Sequence, residues 1–561
     1  MLSLGILLVY AARLATPYPF ADDWLYANAP SLWPLGDFTT WLLAQHVDHR
    51  IPLQKGLHWW LLHLSGFDFR WLIGLNVIFA LGTCTILIEL ARICRGYRSW
   101  MDICIPLIVL NPALPPFLWG FQMQFVVPTF AAGASMLCMA TRRKENAFNR
   151  LILANAAVLV AAGSGMNGVV TATICALAVT GLAWLNRRSI ELRARDVVVL
   201  AAPVVLVAAC WLTWTPSSRT SSSHIEASTL WSAMQALASA GLANWLYTSP
   251  AWKILLQTGG LMIGGIALLW LVALSPRRWL PLFVVAAQSL ALLLAASLGR
   301  SGPSEWTWMH ALHYGFISAG LSVAALTAIS SVRWLKLMTL PAIAFFGYAC
   351  WINSDWRVRS AQDNAPHIQS VIHSIETEHD VNRLTSDHMQ DFWWLKDDPN
   401  GVAMITKGIR NLRSHGLWLP EPLISPERYQ ETQFPMVQNP NCNIELLQAD
   451  RLDDVTVVRV SGWLLRLDSN GAPAGPAWLV WRDKTGERSW RYLLNFNLPR
   501  TDIPGADQSP DARVGFEFVA DVSSLPAKNL PVTLDYENGG SRVICDNGRH
   551  MEAPPPRLSQ E

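Results

Sequence analysis

The chain has 561 residues, of which 52% are hydrophobic and only 15% are charged. This composition is too apolar for one soluble domain and predicts a membrane protein. The formal net charge of +2, without a basic arm or stripe, excludes nucleic acid as the expected partner.

Residues 1–353 are predicted to form a polytopic helical membrane domain with about 11 transmembrane helices, because a span needs ~20 mostly apolar residues. The candidate spans lie near 1–15, 69–92, 102–118, 122–141, 150–163, 168–186, 196–214, 254–275, 280–299, 311–331 and 337–353. The opening MLSLGILLVYAARLA lacks a basic region, so we expect a retained first span and not a cleaved signal.

Alternate loops between these spans are basic, and basic loops face the cytoplasm. The basic residues concerned are Arg92, Arg95, Arg98, Arg142, Arg143, Lys144, Arg187, Arg188, Arg193, Arg195, Arg277, Arg278, Arg333 and Lys336. We therefore expect a multi-pass protein of the bacterial inner membrane, with its N-terminus in the cytoplasm. The C-terminal region is expected to be periplasmic or extracellular.

The first outer loop, residues 16–68, carries two adjacent carboxylates in PYPFADDW, Asp22 and Asp23. Repulsion between them and partial desolvation at a membrane surface are expected to raise the pKa of at least one. A carboxylate of this kind suits a general base that deprotonates a hydroxyl. It also suits cation or proton binding, and PYPFADDW equally fits a solvated turn. The residues alone leave these interpretations open.

A polar cluster follows in the same loop, at His46, Asp48, His49 and Arg50. Histidine and aspartate bind divalent metals, but no spacing here is diagnostic, so no firm cofactor is predicted. A metal site that joins Asp48 and His46 to Asp22 is the weaker alternative. Arg50, with His49 beside it, is instead predicted to meet a lipid phosphate or the acidic pair, because a guanidinium donates two parallel hydrogen bonds.

Two more outer features stand near the membrane surface. The segment IPLQKGLHWWLLHLS (51–65) is too short and polar to span, so it predicts an interfacial helix with Trp59 and Trp60 at headgroup depth. Gln122 begins a span and is predicted to line a substrate cavity, with a turn or helix-contact role as the alternative.

A second polar boundary contains Arg300, His310, His313 and Tyr314. Cationic groups at this depth are suited to hold the phosphate or diphosphate of a lipid carrier. The alternative is that these side chains simply reach lipid headgroups from a span end.

The chain beyond the last span is polar and is predicted to be an extracytoplasmic α+β region. Residues 354–440 are mostly helical in pattern, and 441–550 contain short alternating runs typical of a small β-sandwich. Residues 551–561 are a disordered tail in this interpretation. Cys442 and Cys545 stand alone in this region and predict one disulfide.

Taken together, PYPFADDW after a first span, the later HVDHRIPLQK, and Arg300 followed by HALHYG resemble segments of the C-type (GT-C) glycosyltransferases. The similarity is to bacterial GtrII-like O-antigen glucosyltransferases and related GT-C proteins, and the whole architecture shares it. Two positions depart from the family pattern. Asp48 stands where relatives often have Glu, and His313 stands where an Arg is usual.

The resemblance implies a membrane glycosyltransferase of the cell envelope. Such enzymes transfer a sugar from a polyprenyl-phosphate donor to an acceptor glycan or lipid on the outer face of the membrane, usually with inversion. It implies that Asp22 or Asp23 is the general base and that Arg300 meets the donor phosphate. Membrane lipids are expected neighbours.

Other classes of protein remain as alternatives. A transporter or flippase of lipid-linked or polar substrates would carry charges inside several spans and repeated halves, and neither pattern is evident. A transferase of another lipid-linked group and a scaffold are further alternatives. Neutralising the acidic pair separates them, because an enzyme then loses turnover but keeps its fold, whereas a scaffold is unaffected.

Overall fold

The structure, a computed structural model, describes Gly5, Leu7, Ala15 and 17–30, 32, 34–46, 50–117, 119–186, 193–213, 227–246, 251–299, 314–332, 337–377 and 399–414, together with ten strands between 436 and 551 and the residue 494 after one of them. The chain divides into two compact units, Met1–Asp363 and Asn364–Glu561. Each unit is described by itself below.

The chain is mostly helical. The described α-helices, numbered α1 to α15 in chain order, are Trp24–Ala27, Leu35–Leu43, Pro52–Leu64, Arg70–Arg95, Cys104–Val109, Met123–Ala140, Ala147–Ala162, Met166–Leu185, Ala194–Leu212, Ala227–Leu242, Ala251–Leu274, Pro276–Gly299, Gly315–Ser331, Thr339–Thr377 and Pro399–Ser414. Short 3-10 turns precede several of them, including Ala21–Asp23 before α1 and Gly120–Gln122 before α6.

Six of the described helical segments are long and apolar enough to cross a membrane. They are Arg70–Arg95, Gly120–Ala140, Met166–Leu185, Ala194–Leu212, Ala251–Leu274 and Pro276–Ala296. A membrane-embedded protein is therefore supported by length and composition, while the count of eleven spans is not confirmed.

The remaining candidate spans differ from the expectation for separate reasons. At 102–118 the apolar helix covers only Trp100–Val109, because Pro112, Pro115 and Pro116 cannot continue a helix. At 150–163 and 311–331 the corresponding helices, α7 and α13, have 16 and 17 residues, which is shorter than the ~20 residues of a full span. At 1–15 only Gly5, Leu7 and Ala15 are described.

The last candidate span, 337–353, belongs to a much longer helix. The helix α14 has 39 residues and continues through the boundary that the sequence places at 353. Asp355 and Arg359 support this continuation, since their side chains form an i,i+4 ion pair of 2.6 Å.

The membrane-type helices pack through small residues. A methyl group on Gly133 of α6 would collide with Ile86 of α4, and one on Gly264 of α11 would collide with Ala325 of α13. Close backbone approach at small residues is the usual way in which helices associate in lipid. The helix α4 ends at Gly96, whose φ of 80° is the left-handed conformation that glycine adopts at low cost.

The second unit ends in two β-sheets. The described strands β1 to β10 are Met436–Gln438, Cys442–Leu452, Val455–Leu464, Ala477–Arg482, Ser489–Leu493, Leu498–Pro499, Arg513–Asp521, Leu530–Asn538, Ser541–Cys545 and His550–Met551. One sheet has the order β1-β9-β8-β4-β5, with β10 also on β8, and the other has the order β2-β3-β7-β6.

Both sheets contribute to one buried core. Val460 and Phe516 come from one sheet, and Leu479 and Val532 come from the other. This is the arrangement expected for a β-sandwich. The predicted disulfide between Cys442 and Cys545 is present, with a Cα–Cα distance of 6.2 Å.

Candidate functional site

The first loop folds against the ends of three helices. The backbone N–H of Phe69, just before α4, donates to the carbonyl of Pro17 over 3.0 Å. The N–H of Leu53 on α3 donates to the carbonyl of Gly163, at the end of α7, over 3.1 Å. The 3-10 turn Ala21–Asp23 packs on the turn Gly120–Gln122 that precedes α6. The acidic pair therefore lies at one end of the helical bundle.

Asp22 is the accessible member of the pair, with 31% of its side chain exposed. The Nε2 atom of His46 lies 3.4 Å from its Oδ1 atom, at a distance compatible with an ion pair but without hydrogen-bond geometry. The His46 ring in turn packs edge-on against Phe121, with 5.3 Å between ring centroids. A carboxylate and an imidazole thus face each other at the edge of the site.

Asp23 is buried, with a relative exposure of only 3%. Its Oδ2 accepts a 3.4 Å hydrogen bond from the N–H of Phe20, and its Oδ1 has no hydrogen-bond partner among the described residues. Burial raises the pKa of Asp23 well above its usual value, and the charge of Asp22 adds to the effect. The backbone N–H groups of Phe20, Phe121 and Gly120 oppose the shift without cancelling it.

A set of buried polar side chains from α1 and α3 lies behind the pair. The Nε2 of Gln54 donates to the Tyr26 hydroxyl over 2.6 Å and to the carbonyl of Phe121 over 2.8 Å. The His58 ring meets the Tyr26 ring edge-on at 4.5 Å between centroids, and neither of its nitrogens has a partner among the described residues. Burial lowers the pKa of His58 to about 3, so it is neutral at ordinary pH. Burial, and then the nearby Asp23, raise the pKa of Tyr26.

One buried amide on α4 holds the turn beside Asp23. The Nδ2 of Asn76 lies 3.0 Å from the carbonyl oxygen of Pro116, and 3.2 Å from the carbonyl oxygens of Trp119 and Gly120. A methyl group on Gly120 would lie 2.6 Å from Leu72 Cβ, so the turn fits only without a side chain there. Asn76 and Gly120 together determine where this turn meets Asp23.

The neighbour of Gln54 on α3 has a separate role. Lys55 is buried, and its Nζ donates to the carbonyls of Trp41 over 2.6 Å and Ala44 over 2.7 Å. These carbonyls are at the C-terminal end of α2, where an ammonium satisfies unpaired acceptors and the helix dipole. Burial lowers the pKa of Lys55 to about 8.

The other residues predicted from the sequence have different outcomes. Arg50 is exposed and near Cys210 of α9, and it makes no ion pair with a carboxylate of the described residues. Gln122 is buried and is the last residue of the turn Gly120–Gln122. Tyr314 is buried and packs edge-on against Phe125, at 5.6 Å between ring centroids. The positions Asp48, His49, Arg300, His310 and His313 lie outside the described residues.

The structure describes only some of the residues of the predicted metal site. His46 is near Asp22, but the described residues contain no group of three or more His, Cys, Asp or Glu side chains placed to hold an ion. Asp48, the other metal candidate, is not among them.

Sequence reasoning missed the buried polar residues Tyr26, Gln54, Lys55, His58 and Asn76. Part of the signal was available, because Gln54, Lys55 and His58 fall on one face of α3 at helical spacing. A buried face made of polar side chains indicates internal hydrogen bonding or a ligand site.

The arrangement has a clear division of chemical roles. The Asp22 side chain is partly exposed, whereas Asp23 is shielded and burial favours its neutral form. No family model matches the sequence, and neither curated proteins nor solved structures give a significant match.

Proposed function

We propose that the chain is a membrane glycosyltransferase that moves a sugar from a polyprenyl-phosphate donor to an acceptor glycan or lipid. The observation that supports this most directly is Asp22, an accessible carboxylate beside His46 at the end of a bundle of apolar helices. A lipid-linked donor has to be met at a membrane surface, and its phosphate ester already carries the energy for transfer. A base at that surface is what the reaction needs from the protein.

We assign the general base to Asp22 and not to Asp23. A base has to come within about 3 Å of the hydroxyl that it deprotonates, and the buried Asp23 cannot do so while Phe20 and Gly120 cover it. Asp23 instead accepts the N–H of Phe20 within its own segment, and its side chain packs against Gly120. The neutral form that burial favours suits this structural role.

The proposal also covers the orientation of the chain in the membrane and the residues that bind the donor phosphate. The acidic pair lies at the end of α4 opposite to Arg92 and Arg95. With the basic-loop rule, this supports the proposed position of the pair on the outer face of a bacterial inner membrane. The eleven-span topology and a periplasmic second unit belong to this proposal. Arg50 and Arg300 are the proposed ligands of the donor phosphate.

The test uses purified protein in nanodiscs with polyprenyl-phosphate sugars, and it measures the release of polyprenyl phosphate. We expect Asp22→Asn to reduce turnover about 10²–10⁴-fold, the usual contribution of a general base, with an unchanged thermal midpoint. Asp23→Asn is the matched control, because an amide resembles the neutral carboxyl, and it should keep most of the turnover.

Two results would change the proposal. Loss of turnover in Asp23→Asn, with Asp22→Asn active, would move the base to Asp23. If no sugar donor is turned over by the wild type, the transferase assignment fails and the transporter alternative becomes the one to test.

A further inference from the structure

The helix α2 has an exposed apolar stripe that nothing in the proposed reaction uses. None of its residues is buried, and Leu35 and Leu43 are 48% and 59% exposed. Thr39 lies between them on the same face, and its hydroxyl already donates to the carbonyl of Leu35 over 2.9 Å. A nine-residue helix is too short to be stable in water by itself.

A second apolar stripe lies on α3. Trp60 and Leu64 are 57% and 66% exposed, while Gln54 and His58 on the opposite face are buried. The two helices touch through Phe38 and Trp59, whose ring centroids are 5.0 Å apart, and through Leu42, which lies beside Gly56.

The chemistry of these stripes fits a lipid surface. Only five residues separate Leu64 from α4, which is long enough to cross a membrane and exposes Trp71 and Ile78. The apolar surface of α3 is therefore followed directly by the lipid-facing surface of a span. The one lysine of the two helices, Lys55, is directed into the protein, and neither helix contains an arginine, which leaves both stripes without an exposed lysine or arginine. Helices with one apolar face and a buried or polar opposite face lie in the membrane interface.

The first turn of α3 connects this surface to the site. Lys55 binds the last carbonyls of α2, and the adjacent Gln54 binds both Tyr26 and the carbonyl of Phe121. A displacement of α2 is therefore transmitted through two consecutive residues to the turn that contacts Asp23.

We propose that α2 and α3 lie in the bilayer interface at the acidic-pair end of the bundle, with Leu35, Leu43, Trp60 and Leu64 in contact with lipid. Lys55 and Gln54 couple this position of the helices to the geometry around the acidic pair. The inference concerns lipid contact and does not depend on the sugar-transfer reaction.

Hydrogen–deuterium exchange of the full chain in phospholipid nanodiscs tests the lipid contact. In the double variant Leu35→Glu, Leu43→Glu, the α2 amides should exchange at least about tenfold faster than in the wild type. The reason is that two apolar side chains in contact with lipid are replaced by charged ones. Thr40→Glu is the control, since Thr40 is exposed next to Asp37, and it should exchange like the wild type. Unchanged exchange in residues 80–90 of α4 shows that the bundle is folded.

The coupling has its own variant, Lys55→Met, which leaves both stripes intact. We expect faster exchange in α2 and also in residues 119–122, while Thr40→Glu affects neither segment. An effect confined to α2 would overturn the coupling.

Equal α2 exchange in the wild type and the double variant would overturn the lipid contact. Protection of α2 that appears only in native membranes, and not in nanodiscs, would assign the stripe to a protein partner and also overturn it.

Discussion

Replacing Asn76 by leucine tests how the site is held together. The Nδ2 group of Asn76 lies 3.0–3.2 Å from three buried carbonyl oxygens of the turn before α6. In the variant, the carbonyl of Gly120 still accepts a hydrogen bond from the N–H of Met123, and the carbonyl of Trp119 still accepts one from the N–H of Gln122 over 3.3 Å. The main loss is therefore the donor to the carbonyl of Pro116.

The magnitude follows from that loss. A buried acceptor left without a donor costs about 1–3 kcal/mol, so we expect Asn76→Leu to destabilise the first unit by about 2 kcal/mol. In a large domain 1 kcal/mol corresponds to about 2–4 °C, which gives a decrease of about 5 °C in the thermal midpoint. The proposed turnover should fall as well, because Phe121 of this turn packs against His46, which faces Asp22.

The assay is thermal unfolding of the purified protein in detergent, followed by intrinsic fluorescence. Asn155→Leu is the matched control, since Asn155 is also buried but its one side-chain hydrogen bond within the described part of the chain goes to Leu151 of its own helix, over 2.8 Å. That carbonyl is four residues back and keeps its helical N–H donor, so the control should change the midpoint by less than half as much. A midpoint of Asn76→Leu within about 1 °C of the wild type, or an equal decrease in the control, would refute the assigned role of Asn76.

Three further predictions concern the same loop. Gly120→Ala should destabilise the protein by about 1–3 kcal/mol, because its methyl group would lie 2.6 Å from Leu72 Cβ. Gly36→Ala is the control, since its added methyl group would have no neighbouring atom within 4 Å, and it should be neutral or slightly stabilising in the same melting assay. His58→Phe should keep the ring contact and remove an unpartnered buried imidazole. The pKa of His58 is about 3 when folded and 6.5 in its ordinary state, so wild-type stability falls as the pH decreases from 6.5 towards 3, and the variant should lose this dependence in melts across that range. The pKa of Lys55 is about 8 in the folded protein and 10.5 in its ordinary state, so between pH 8 and 10.5 the unfolded protein binds more protons than the folded one. The free energy of unfolding should therefore rise with pH in this range, and Lys55→Met should not show the rise.

The long helices could be predicted from the sequence because they depend on local properties. A run of apolar residues of sufficient length has to be helical in lipid, since its backbone groups can bond only to each other. The expected spans at 69–92 and 254–275 correspond to α4 and α11 for this reason. The span expected at 102–118 did not form as one helix, because three prolines outweigh its apolar composition.

The acidic pair illustrates how far local sequence reasoning extends. The position of PYPFADDW after an apolar segment was enough to mark Asp22 and Asp23 as candidates. The two residues are chemically identical and adjacent, so nothing in the sequence distinguishes them. Only the packing of the turn at Gly120 makes one accessible and the other buried, and burial raises the pKa of Asp23.

The sequence by itself determined the membrane class, most of the long helices, the disulfide pairing and the loop in which to look for a site. Only the tertiary structure decided which polar side chains meet there. Gln54 bonds Tyr26 across 28 residues and Phe121 across 67, and Asn76 reaches Gly120 across 44. Helical and strand patterns report whether a residue faces an apolar or a polar environment, but hydrogen bonds between distant segments depend on how the helices pack, which no local pattern records.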